Sequence, residues 1–290
     1  MARVNFSVLL FSLSAYISKT PKISPPMTAH TIDEVIAFLD DIIVSSIKNE
    51  NRLGYFAALY KMVTLRVRNE VNKPNGTSIF QDPKRMEKLD VIFANRYLKA
   101  YSQFSNGETP TKSWQIAFEA ASNPSNVVIQ QLFLGMNAHI NLDLGVAAAE
   151  ISQELDQPIK DLHHDFDKIN DVLKSLIGQV EKEISMIWPA LRWLLRLVPF
   201  HLDRGIVSFS MDIARDRAWT FATEIFASPP QDIPTLIDTR DQKVSAYAQD
   251  LANPPWWIRL IIFFIHLGEN KSVAKNIKYL DAEIRRRVIL

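Results

Sequence analysis

Between Asn126 and Ala149 the chain carries one formally charged residue, Asp143. The rest of that stretch is apolar, small or an uncharged amide, apart from one histidine, His139. Wound at helical pitch, such a segment has no face suited to water. It predicts a buried central helix over 126–150, enclosed by other helices. The amides within it argue against a lipid-facing helix, because amides in hydrocarbon are left without partners.

The flanking sequence has the same character. Ile32, Val35, Ile36, Leu39, Ile42 and Ile43 recur at three- and four-residue spacing, behind the capping sequence Thr31-Ile32-Asp33-Glu34. Further helices are expected over 52–71, 85–101, 114–121, 203–227 and 236–252. Pro158 should open a long helix running to about residue 187. Pro74-Asn75-Gly76, Asn123-Pro124, Pro229-Pro230 and Pro254-Pro255 punctuate them. No strand-type alternation bounded by turns interrupts the pattern. The expectation is an all-α fold, a single multi-helix bundle over 27–290.

Residues 1–26 read as an N-terminal extension. The apolar run FSVLLFSLSAYI (6–17) resembles a weak targeting segment, so a cytoplasmic protein is expected, or an exported one if this run acts as a signal. No run is long and apolar enough for a convincing membrane span. The formal net charge of +1 provides no field to recruit nucleic acid. The absence of cysteine excludes disulfides, thiolate metal sites and cysteine nucleophiles. No Gly-rich phosphate loop is present.

His139 and Asp143 are the leading candidates for chemistry. They lie one turn apart on one face of the central helix, with Asn137 and Asn141 on the opposite face. They could act together as metal ligands or as an acid–base pair, or Asp143 could simply hold the imidazole in place. A second acidic constellation follows in His163-His164-Asp165-Phe166-Asp167-Lys168-Ile169-Asn170-Asp171, where Asp167 and Asp171 share a face. If that helix runs antiparallel to the central one, its carboxylates come across from Asp143. The expected metal set is therefore His139, Asp143, Asp167 and Asp171, holding Fe, Mn, Zn or Mg. Asp90 and Glu119 are further acidic candidates, and Asp212, Arg215 and Asp216 read as a salt-bridge network. Arg96 could pair with a buried carboxylate.

Three functions follow. The first is a metal-dependent oxidoreductase, hydrolase or lyase acting on a hydrophobic small molecule in a helix-bundle pocket. The second is a Mg-dependent isoprenoid or lipid-diphosphate enzyme using Asp40-Asp41, Asp167, Asn170, Asp171 and Ser175. The third is a non-enzymatic lipid-binding or interaction protein. Its surface would come from WPALRWLLR (188–196) and PPWWIRLIIFFIHL (254–267), both suited to peripheral membrane contact or a homo-oligomer interface.

The strings RLGYFAALY (52–60), RMEKLDVIFANRYL (85–98), SWQIAFEAA (113–121), GMNAHINLDLGVA (135–147) and DFDKIND (165–171) resemble an uncharacterised bacterial family of all-helical proteins, a domain of unknown function. The resemblance covers roughly residues 32–225, and GMNAHINLDL is its most specific part. It implies an all-α fold and no particular activity. The double histidine at 163–164 is not part of its pattern, which weakens both as ligands.

Overall fold

The computed structural model describes residues 27–74, 76–173, 176 and 211–288. The segments 6–17 and 188–196, together with Ser175, lie outside the described residues. Among the described residues all regular structure is helical. In chain order the helices are α1 (Ile32–Lys48), α2 (Leu53–Val71), α3 (Pro83–Ser105), α4 (Lys112–Ala121), α5 (Val128–Ala138) and α6 (Leu144–Glu154). A 3-10 turn (Ile159–Leu162) leads into α7, described over 163–173, instead of the helix starting at Pro158. Then come α8 (Met211–Ala227), α9 (Ile233–Ala252), α10 (Trp256–Gly268) and α11 (Val273–Val288).

α1 begins as its sequence dictates. Thr31 Oγ1 accepts from the Glu34 N–H at 3.2 Å, and Glu34 Oε2 accepts from the His30 N–H at 2.7 Å. The first bond satisfies a donor that the first helical turn leaves open, and the second fastens the chain just ahead of the cap. The apolar positions from Ile32 to Ile43 are then buried together.

The expected central helix is two helices joined by a π turn, His139–Asp143. The Leu144 N–H reaches back five residues to the His139 carbonyl. Such a turn is wider than an α turn and misaligns the carbonyl ladder. α9 answers it: Arg240 Nε donates to the Asn141 carbonyl at 2.7 Å. Asn137 Nδ2 donates to the Val244 carbonyl at 3.1 Å, and Asn141 Nδ2 to Asn137 Oδ1 at 3.0 Å. The amide face of the central segment is thus tied to α9, while His139 and Asp143 turn toward α2, α3 and α4.

α5 and α6 are approached closely on both sides. The ring of Phe56 lies where a β-carbon on Gly135 would stand. At Gly145 a β-carbon would lie 2.8 Å from the Ala218 carbonyl of α8, which is backbone and cannot rotate away. Around this contact Leu144, Ala147, Ala148, Ala214, Ala218 and Ala222 form a core with Leu162 and Phe166. Small residues on both helices set the spacing. Gly145→Ala is expected to lower unfolding stability by about 1–3 kcal/mol, read by urea denaturation.

Candidate functional site

Asp143 is 1% exposed and is met by helices distant in sequence. Arg96 of α3 donates through Nε to Oδ1 at 2.8 Å. Trp114 of α4 donates through Nε1 to Oδ2 at 2.8 Å. His139 Nδ1 stands 3.6 Å from Oδ2, beyond hydrogen-bonding distance but close enough for electrostatic contact. Burial on its own would raise the pKa of this carboxyl. Arg96, His139 and the Trp114 N–H outweigh that and hold it below the usual carboxylate range. Asp143 is therefore an ionised group shut away from water and held by two donors.

His139 lies against aromatic rings. Phe93 stacks on the imidazole with centroids 3.6 Å apart and planes 8° from parallel. Tyr60 meets it edge-on at 4.4 Å, and Phe56, Trp114 and Tyr97 stand further out. Burial pushes its pKa down, against the pull of Asp143, so the ring is neutral. Neither ring nitrogen has a hydrogen-bond partner, and the same holds for the hydroxyls of Tyr60 and Tyr97. Burial raises both tyrosine pKa values well above normal, so both hydroxyls keep their protons.

Asp143 is also one of the residues that line an open cleft of about 770 Å³, although almost none of its surface is exposed. α3 supplies Ile92, Asn95, Arg96 and Lys99, and α4 supplies Lys112 and Trp114. α6 supplies Glu150 and Glu154, and α9 supplies Ile237, Asp238 and Asp241. The lining mixes charged side chains with the apolar surfaces of Ile92, Trp114, Pro234 and Ile237. His139 is not part of the lining, whereas its neighbours Asp143 and Trp114 are. Asp241 is already committed, accepting from the N–H groups of Lys112 and Ser113 at 2.6 and 2.9 Å and so capping α4.

The four expected metal ligands do not come together. Asp167 and Asp171 are exposed; Asp167 pairs with His163 at 3.6 Å and Asp171 with Lys168 at 3.3 Å. The inner face of α7 is set by Phe166, Ile169 and Val172, in line with Leu162 of the preceding turn, and Asp165, not Asp167, falls beside it. Asp165 accepts from the backbone N–H groups of Gln81 and Asp82 at 2.7 and 2.9 Å, fixing the chain ahead of α3. Among the described residues no group of three or more His, Asp or Glu side chains is placed to hold a metal ion. Asp40, of the second acidic set, pairs with buried Lys61. Glu119 accepts from Gln115 on its own helix. Arg215 donates to the Phe166 carbonyl at 2.5 Å.

A family model matches residues 32–254. The chain belongs to DUF5995, a family of unknown function. No curated protein and no solved structure matches the chain. The DUF5995 region holds the π turn, all the groups around Asp143 and every residue of the cleft, and it ends before α10.

Two predictions follow from this electrostatic arrangement. Asp143→Ala leaves the Trp114 N–H and part of Arg96 without a partner, and is expected to cost about 3 kcal/mol in denaturant unfolding. Asp90, buried on α3, has its pKa raised to about 7 by burial, with Glu87 adding to the effect. The folded state thus favours its protonated form, so its contribution is fully present below about pH 4 and is lost as pH rises toward 7. Asp90→Asn is expected to stabilise the protein by about 1–3 kcal/mol at pH 8 and by almost nothing near pH 4, read as paired melts across pH.

Proposed function

We propose that the protein binds a small polar molecule carrying an anionic group, in the cleft between α3, α4, α6 and α9, with Arg96 as its anchor. One observation carries this reading. Asp143 holds Arg96 through Nε alone, and Arg96, partly exposed, lines the cleft with Glu150 in electrostatic reach. Guanidinium groups held in this way present a fixed fork to carboxylates and phosphates. Lys99, one turn along α3, adds a second cation on the same side; Glu150, Glu154 and Asp238 also line the cleft, so the anionic group belongs at Arg96 and Lys99 while the rest of the ligand offers hydrogen-bond donors to these carboxylates.

In this reading Asp143 and His139 are positioning residues. Asp143 is a weak base, with a lowered pKa and both oxygens occupied. The same occupancy makes it a poor metal ligand. A catalytic reading draws on the unpartnered nitrogens of the neutral His139 ring. That role would show as loss of turnover in His139→Gln with ligand binding intact.

The test is a thermal-shift and calorimetric screen of the purified full chain against anionic, neutral and cationic metabolites, with and without chelator. Anionic compounds are expected to raise the melting temperature; at one hundred times Kd a single ligand adds about 2.7 kcal/mol. Arg96→Gln is expected to abolish the shift, and chelation to leave it unchanged. Stabilisation by cationic or neutral compounds alone, or an undiminished shift in Arg96→Gln, would contradict the proposal.

A further inference from the structure

α10 begins immediately after the family match ends and packs unlike the helices before it. Ile258 is its one buried residue. Trp256, Leu260, Phe263, Phe264 and Leu267 are 76%, 51%, 54%, 54% and 60% exposed. They recur at helical spacing and so form one apolar stripe. Isolated exposed apolar residues are ordinary, but a continuous stripe of large ones marks a contact surface.

We propose that α10 docks in the plane of an anionic phospholipid surface. Two observations select this partner. First, charge lies beside the stripe. Arg259 is exposed between its first two members, Lys271 is exposed in the link to α11, and Lys275 and Lys278 are exposed on one face of α11. Lys271 is tied to the end of α10, donating from Nζ to the His266 carbonyl at 2.6 Å. Cations flanking an apolar stripe complement anionic headgroups, whereas a protein partner with an apolar groove would not need them. Second, the helix has tryptophans at one end, where amphipathic rings settle at the headgroup level. At 13 residues it is too short to cross a bilayer. The stripe would lie in the boundary between headgroups and chains, with the lysines among the phosphates. This site shares no residue with the cleft lining, so either proposal can fail alone.

The experiment is co-sedimentation of the full chain with vesicles of phosphatidylcholine alone or of phosphatidylcholine mixed with phosphatidylglycerol. The wild type is expected to bind the anionic vesicles, and high salt to weaken that binding. A Leu260→Ser, Phe263→Ser, Phe264→Ser variant should lose it while melting at an unchanged temperature. Lys275→Glu with Lys278→Glu should weaken it on the order of tenfold or more, on anionic vesicles only. No binding to anionic vesicles, equal binding to both compositions, or full binding by the serine variant would overturn the proposal. Concentration-dependent dimers that the serine variant abolishes, without vesicle binding, would instead assign the stripe to a second copy of the chain.

Discussion

A single buried carboxylate organises the centre of this protein. Asp143 is too costly to bury as an ion without partners. Its partners come from α3 and α4, which lie far from it in sequence. Satisfying it therefore fixes the positions of two outer helices relative to the central segment. The π turn places Asp143 and His139 on that side and leaves a carbonyl for Arg240 of α9 on the other. Ionic contact on one face and amide contact on the opposite face hold a helix that hydrophobic packing alone would leave free to slide.

The same device recurs at helix ends. Asp165 receives the backbone N–H groups ahead of α3, and Asp241 receives those at the start of α4. Both carboxylates come from other helices, so capping here is tertiary. A helix start exposes several unpaired donors, and a buried carboxylate neutralises two at once. The cleft exists between elements secured in this way. Its wall carries charge because Arg96, Lys99, Glu150 and Glu154 lie on helices whose opposite faces are packed.

Much of the fold was legible in the sequence. The apolar spacing from Ile32 to Ile43, the Thr31 cap and the proline punctuation describe the helices as they stand. The enclosed central segment was legible because charge is nearly absent from it, and Arg96 as a partner for a buried carboxylate followed from its apolar surroundings. The π turn was not legible, since nothing in GMNAHINLDLG distinguishes it from an α turn. The second half of the site was misread for a specific reason. Asp167 and Asp171 share a face with each other, but Leu162, Phe166, Ile169 and Val172 mark a different face as the buried one, and Asp165 lies beside it. Trp114 as a donor to Asp143 depends on the crossing of α4, which single-helix periodicity does not contain.

The central claim is that Asp143 and Arg96 act as one unit, coupling the π turn to α3 and holding Arg96 at the cleft. A double-mutant cycle on unfolding stability with Asp143→Asn and Arg96→Gln measures that coupling directly. The account predicts a coupling energy of about 1.5 kcal/mol or more. Effects that add to within about 0.5 kcal/mol would contradict it, leaving the contact as a neighbour relation without energetic consequence.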